Sequence, residues 1–397
     1  MLTKIRARNF KSLRNVSLKL GQRNVLVGAN MAGKSNLIDL FRFVSDMSLP
    51  PAGSMGLVNA FSVRGGFGEV LWKGGNERII EIQLSGTTLE LDPKQPWLWE
   101  YEIQVQGEPR YDNFRTTVER LNIRRGDLPV RDLIENAGHE RFFINSPQQR
   151  LLSTPDPSRS ILEFEIPGWS GNFLRSEIAK WRFYELAPSL MRNPSQAAAT
   201  NFLQENGENI SQWLSNLQQE HYNDSFSRIE QVLVDTLPQI TGLFNSPTQQ
   251  STVALGTRER NLKRQVTLAQ MSAGELAFIA LLSLIFAPAE KSGTLYCIEE
   301  IENYLHPRLI DTLLEVLRQS QEEWERRHQP PQIVLTTHSP RVVDKTRLDE
   351  IVFIQNTDGE TRCSRPGDKP QLQKLLQNEE FGLGDLVYSG ALNNVGK

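Results

Sequence analysis

A chain of 397 residues with 39% hydrophobic and 23% charged side chains has room for two or three domains and a large core, and its composition is that of an ordinary water-soluble protein. A net charge of −3 excludes a strong global basic field, so any contact with nucleic acid needs a local patch. Cys297 and Cys363 are the only cysteines, which rules out a disulfide framework and a four-cysteine zinc site. The opening MLTKIRARNFKSLR lacks the apolar core of a signal peptide, and the longest apolar run, 276–289, is too short to cross a bilayer. A cytoplasmic location is the resulting expectation.

In chain order, residues 2–8 and 14–20 alternate loosely and predict two strands joined by Asn-Phe-Lys-Ser. Val25-Leu26-Val27 predicts a short buried strand, and Leu37, Ile38, Leu40, Phe41 and Val44 fall at helical spacing over 34–46. A Gly/Pro/Ser-rich loop follows at 48–68. EVLWK, RIIEIQL, TTLELD and WEYEIQVQ predict an antiparallel meander. Residues 106–165 are polar and poorly patterned, whereas 170–240 has helical spacing, beginning with NFLRSEIAKWRFYEL. Extended chain at 250–268 precedes a helix at 274–287, strand TLYCIEE, a helix at 307–327, and strands QIVLTT and EIVFIQ. Apolar strands alternating with helices predict an α/β fold with a mixed, mostly parallel sheet. Trp181, Tyr184, Trp213 and Phe226 fall at helical positions and are expected to be core residues, not base-stacking platforms.

The stretch Gly28-Ala29-Asn30-Met31-Ala32-Gly33-Lys34-Ser35 fits G-x-x-x-x-G-K-[ST] between a strand and a helix. Backbone amides of such a loop converge on phosphate oxygens at the helix start, and its glycines permit close approach. Lys34 would reach the terminal phosphates, and the Ser35 hydroxyl would ligate Mg²⁺. Further along, TLYCIEE ends an apolar strand in two acids. Glu299 would hold the metal and Glu300 would activate an attacking water; taken alone, the run also reads as a buried strand ending at a charged surface. His338 follows the apolar strand QIVLTT, at the sheet edge where ligands bind in open α/β folds, and could donate to the γ-phosphate. In Met271-Ser272-Ala273-Gly274-Glu275, Ser272 and the Gly274 amide offer an anion site at a helix start; taken alone, the same residues read as a helix N-cap with Glu275.

With these four motifs in this order, the sequence resembles the ABC-ATPase-type heads of the SMC/RecF class, above all the stand-alone AAA-type ATP-binding and OLD-like ATPases of bacterial genomes. The resemblance covers most of the chain and is tightest at 1–45 and 268–357. It implies a P-loop ABC-type head with a β-rich lobe and an inserted helical lobe. The expected parts are 1–165 (P-loop and β-rich lobe), 166–250 (helical lobe) and 251–397 (signature motif, acid pair, histidine). The opening I-x-A-x-N-F-K-S-L is similar to the family's first strand and loop, which lies against the nucleotide and implicates Lys11 and Ser12; Asn36 follows the P-loop serine. The acid pair matches in the form I-E-E-x-E-N-x-L-H-P, with Glu302-Asn303-Tyr304-Leu305 at the D-loop.

The resemblance implies ATP and Mg²⁺ as cofactors and an ATP-sandwiched homodimer, with possible higher assembly left open. In each composite site Lys34, Ser35, Glu299, Glu300 and His338 come from one subunit, and Ser272, Gly274 and Asn303 from the other. Two departures stand out. Glu299 replaces the usual aspartate, and no glutamine fills the Q-loop position clearly, although Gln148 and Gln149 are candidates. OLD-like proteins carry a Toprim nuclease with clustered acids. About 57 residues follow Pro340, and in the final FGLGDLVYSGALNNVGK Asp385 alone makes no metal cluster, so a separate nuclease or effector is the expected partner. Three roles follow: an ATPase driving a DNA-directed anti-phage defence or repair system, a RecF-like DNA-binding repair factor, or an ABC transporter subunit. Basic stretches KIRARNFKSLR, RLNIRR and GTRERNLKRQ could supply phosphate contacts, although charged runs are usually only solvated surface. The alanine in MSAGE and the missing Q-loop speak against the transporter, and no membrane partner is expected.

Overall fold

The structure, a computed structural model, describes residues 1–92, 94–110, 113–126, 128–137, 140–146, 149–154, 156–196, 200–218, 223–247, 252–288, 293–326, 331–366 and 384. The chain divides into two compact units. The first takes Met1–Trp181 and the return of the chain from Leu348; the second takes Arg182–Arg347.

The first unit begins with β1 (Leu2–Phe10), β2 (Leu13–Lys19) and the fully buried β3 (Arg23–Val27), then α1 (Lys34–Ser48), α2 (Gly56–Ser62) and α3 (Phe67–Val70). Next come β4 (Ile79–Thr88), β5 (Trp97–Glu108), β6 (Asn113–Arg124), β7 (Arg131–Ala137), β8 (Glu140–Ser146), β9 (Gln149–Thr154) and α4 (Asn172–Ile178). Eight of these strands form one antiparallel sheet in the order β2-β1-β4-β5-β6-β7-β8-β9. Alternation sets its register: Ile5 lies opposite Leu18 on one side and Leu84 on the other, and these apolar residues are all buried. Phe10, Phe43, Phe61 and Phe67 form an edge-to-face series with centroids 5.4, 5.0 and 5.3 Å apart. Such pairs contribute about 0.5–1.5 kcal/mol each beyond the area they bury.

Three expectations are corrected here. TTLELD is not a strand of its own: Thr87 and Thr88 end β4, and a turn follows. EVLWK is the short helix α3 and its exit, not a strand. The unpatterned 106–165 stretch is largely β6 to β9. Its alternation was hidden because Glu119, 0% exposed, occupies an inward position on β6. Its carboxylate accepts from Tyr101 Oη (2.9 Å), Ser160 Oγ (2.6 Å) and the Ile161 amide (3.0 Å), and pairs with buried Arg141. Burial, followed by the Glu119 charge, pushes the Tyr101 phenol well above its ordinary range.

In the second unit the chain runs through β10 (Trp181–Tyr184), α5 (Pro188–Met191), β11 (Ser195–Gln196), α6 (Ile210–Leu217), α7 (Asn223–Thr236), β12 (Ile240–Pro247), β13 (Thr252–Glu259) and β14 (Val266–Thr267). It continues with α8 (Ala273–Ile285), β15 (Leu295–Ile298), α9 (Pro307–Arg326), β16 (Gln332–Thr337) and α10 (Pro340–Asp344). NFLRSEIAKWRFYEL is therefore not one helix: α4 ends at Ile178 and Trp181–Tyr184 is a strand beside β15. Aromatic residues suit a strand, and sheet pairing overrides the helical spacing. Trp213 and Phe226 are buried, as expected of core residues. The ladder β15·β16 is parallel, with Cys297 opposite Val334. Helix α8 is buried all along 276–285, which its almost continuous apolar sequence dictates.

The chain then returns to the first unit as β17 (Ile351–Thr357) and β18 (Glu360–Ser364). Strand β17 pairs in parallel with β3, setting Phe353 opposite Val27. Asp358 (φ 54°) and Gly359 (φ 82°) turn it into β18, the residue pair a tight hairpin favours. Among the described residues no helix is long and apolar enough to cross a membrane.

Candidate nucleotide site

In the first unit, buried β3 delivers the chain to Gly28, and α1 starts at Lys34. A Cβ on Gly28 would lie 2.1 Å from the Ile354 carbonyl oxygen. Gly33 has φ 106°, and a Cβ there would lie 1.9 Å from Thr361 Oγ1. Both positions thus demand glycine, one for close approach and the other for close approach and handedness. Met31 (φ 63°) is 93% exposed, and Ala29, Asn30 and Ser35 are also exposed, while Ala32 and Lys34 are buried. The Lys34 ammonium donates to the carbonyls of Gly28 (2.8 Å) and Ala29 (3.0 Å). It is thus held over the loop as a compact cation.

Ser12 and Asn36 brace this loop from below. Asn36 Nδ2 donates to Ser12 Oγ (2.6 Å), which shares a 2.6 Å hydrogen bond with Thr361 Oγ1; Thr361 Oγ1 in turn donates to the Ala32 carbonyl (3.0 Å). Lys11, at φ 48°, places its ammonium 2.6 Å from Asp39 on α1. Burial pushes the Asp39 carboxyl up, but the Arg64 guanidinium and Lys11 more than offset it, so its pKa lies below the ordinary value. Sequence reasoning missed Ile354 and Thr361 because they lie more than three hundred residues downstream of the loop they shape. No local signal marks them.

In the second unit, β15 ends in Glu299, whose amide donates to the Tyr184 carbonyl (2.9 Å). Glu300 adopts φ 47°, and its amide donates to Thr336 Oγ1 (2.8 Å). A non-glycine residue in this region stores strain and persists only where neighbours hold it. Asn303 Nδ2 donates to Glu300 Oε2 (2.6 Å), and His338 Nε2 stands 4.0 Å from Glu300 Oε1. Glu300, His338 and Asn303 therefore meet within one chain. The Glu302 carboxylate accepts from Thr337 Oγ1 (2.9 Å) and from the His338 amide.

Ser272 and Glu275 form a full capping box: Ser272 Oγ accepts from the Glu275 amide (3.2 Å), and Glu275 Oε2 accepts from the Ser272 amide (2.7 Å). Gly274 packs against the D-loop turn, where a Cβ would lie 2.7 Å from the Tyr304 carbonyl oxygen. The Ser35 hydroxyl and the Glu299 carboxylate are each hard oxygens of the kind Mg²⁺ takes. Gln148 and Asp385 lie outside the described residues, and of Gln149 only its place at the start of β9 is described.

A glycine-lined phosphate loop between strand and helix, with an acid pair and histidine at the ends of parallel strands, defines a P-loop ATPase head of the ABC type. Residues 23–344 match the family described as "AAA domain, putative AbiEii toxin, Type IV TA system", and the chain belongs to it. Its fold is that of SMC heads. It is similar to the Smc head bound to the C-terminal winged-helix domain of ScpA, with TM-score 0.55 and 12% identity over 92% of this chain and 99% of that one. A second likeness is the Smc head with extended coiled coil bound to the C-terminal domain of ScpA, derived from Pyrococcus furiosus, with TM-score 0.53 and 13% identity over 95% and 99%. No curated protein matches the chain.

Proposed function

We propose that the chain binds Mg²⁺-ATP and hydrolyses it, cycling between an ATP-sandwiched homodimer and free subunits, to gate a DNA-directed defence or repair effector encoded separately. The observation that carries the ATPase reading is the loop itself: two obligatory glycines, exposed rim and Lys34 poised over it. On binding, Lys34 exchanges the Gly28 and Ala29 carbonyls for the terminal phosphates. The loop from Gly28 to Ser35 cradles the phosphates through its amides, with Lys11, Ser12 and Asn36 supporting its floor. Ser35 and Glu299 would hold Mg²⁺, which would supply charge neutralisation of the phosphates. Glu300 takes the proton from the attacking water, and His338 donates to the γ-phosphate. Ser272 and Gly274 act on the partner subunit's nucleotide, while Asn303 holds Glu300 of its own subunit; the first turn of α8 presents a positive end to the γ-phosphate. Loss of that phosphate removes the attraction and frees the subunits.

The DNA part is supported by β1. Lys4, Arg6 and Arg8 alternate on its exposed side, and Lys19 of β2 lies opposite Lys4. None of the four makes an ion pair among the described residues. Alternate strand residues repeat at about 6.8 Å, and duplex phosphates rise about 3.4 Å per nucleotide along each strand. Solved SMC heads captured with ScpA domains lend support to a protein effector as well.

Phosphate release from Mg²⁺-ATP, with and without duplex DNA, tests the whole. Turnover should rise with DNA and fall about 10²- to 10⁴-fold in Glu300→Gln, while ATP binding persists. Equal turnover in the variant removes Glu300 as base; DNA-independent turnover that the variant still abolishes leaves the ATPase and discards DNA as trigger.

A further inference from the structure

In the run Glu299-Glu300-Ile301-Glu302-Asn303 the third acid looks like solvated surface. The fold gives it another place. The positive φ at Glu300 turns the chain back, the Asn303 amide donates to the Glu300 carbonyl (2.8 Å), and the Ile301 amide reaches the Thr336 carbonyl (3.4 Å). This tight turn brings the half-buried Glu302 against the end of β16. There, both carboxylate oxygens are committed. One accepts from the backbone amide of His338; the other accepts from Thr337 Oγ1 at 2.9 Å. Thr337 is fully buried, and its hydroxyl also accepts from the Ser339 amide (3.0 Å). One side chain thus satisfies, directly or at one remove, the polar groups of three consecutive residues where β16 ends.

The consequence concerns His338. Its imidazole stands 4.0 Å from the Glu300 carboxylate. Its backbone is pinned by Glu302, two residues beyond Glu300 on the same rigid turn. We infer that Glu302 is a positioning residue that fixes His338 against Glu300, so the base and the γ-phosphate donor move as one body. With its carboxylate oxygens committed to Thr337 Oγ1 and the His338 amide, Glu302 acts through His338. The inference rests on the ATPase reading for its effect on rate, but the tie between Glu302 and His338 can be read without turnover.

The discriminating pair is Glu302→Ala and Glu302→Gln. Alanine leaves the His338 amide and Thr337 hydroxyl without their acceptor. Glutamine keeps both bonds: its oxygen accepts from His338, and its amide donates to Thr337 Oγ1, which has a second lone pair. Amide hydrogen exchange at His338 should be faster in Glu302→Ala and close to wild type in Glu302→Gln. In the same proteins, kcat should fall about 10- to 100-fold in the alanine variant, the scale of a misplaced catalytic group. ATP affinity should stay within about twofold, since uniform binding is untouched. Glutamine should restore turnover. Unchanged exchange at His338 in Glu302→Ala overturns the inference, as does a glutamine variant as slow as alanine. If the wild type releases no phosphate, the ATPase reading fails, and the exchange measurement still decides whether Glu302 holds His338.

Discussion

The phosphate cradle of the first unit and the acid–histidine cluster of the second are built from different materials. The cradle is shaped by close packing onto two glycines: Gly28 against the Ile354 carbonyl and Gly33 against the Thr361 side chain. The cluster is held by side chains, with Thr336, Asn303 and Glu302 each making a specific hydrogen bond to Glu300 or to the strand that carries His338. A cradle of this kind tolerates change at its exposed rim and fails when its floor gains one carbon. The cluster can lose its function one hydrogen bond at a time while the fold survives.

The largest expected effect follows from that contrast. Gly33→Ala places a carbon inside Thr361 at a φ that alanine adopts only with strain. ATP affinity should fall at least about 100-fold, or roughly 2.7 kcal/mol, as measured by calorimetric titration. The same variant should push β18 aside. Burial pushes the Cys363 thiol up to about 12, so wild-type protein should label slowly with a thiol reagent at pH 8, and Gly33→Ala faster. Wild-type affinity in the variant would mean that the loop does not need Thr361 as its floor.

A smaller effect is expected in the cluster. Asn303→Ala removes the donor to Glu300 Oε2. Turnover should fall about tenfold, the scale of one hydrogen bond to a charged group, with ATP affinity and melting temperature unchanged. A loss of affinity equal to the loss of rate would place Asn303 in ground-state binding instead.

The smallest concerns the brace beneath the loop. The Asp39 pKa lies below its unfolded value of 3.8 because Arg64 and Lys11 outweigh burial. A depressed carboxylate stabilises the fold fully above pH 3.8, and that contribution vanishes as pH drops through the folded pKa. Asp39→Asn should therefore cost about 1 kcal/mol at neutral pH, and its melting curve should converge on that of wild type below pH 3.8. Curves that stay parallel in acid would show that the pair contributes nothing.

The two regions were also unequally legible. The strand–loop–helix from Val25 to Val44 is one contiguous run, and periodicity alone located it. Glu299, Glu300 and His338 each follow an unbroken apolar strand, so their positions at strand ends could be read directly. Their partners could not. Glu302 looks like any exposed acid until the positive φ at Glu300 turns it back; only the spacing E-E-x-E-N hinted at a role. A β-rich lobe was expected within 1–165, but its strands over 106–165 were not legible one by one, because buried Glu119, paired with Arg141, imitates a surface residue. Trp181–Tyr184 continued a helical spacing and became a strand through pairing that no local pattern encodes.

The cradle's floor also has a history in time. Thr361 closes on Ala32 across 329 residues of chain, and Ile354 closes on Gly28 in the same way. A ribosome releases the N-terminal segment first, at about 5–20 residues per second, so the loop waits on the order of tens of seconds for β17 and β18. Contacts of such separation are slow to form. Competence for nucleotide is therefore acquired late in synthesis, and a nascent chain stalled before residue 351 would carry the whole glycine motif without the floor it closes on.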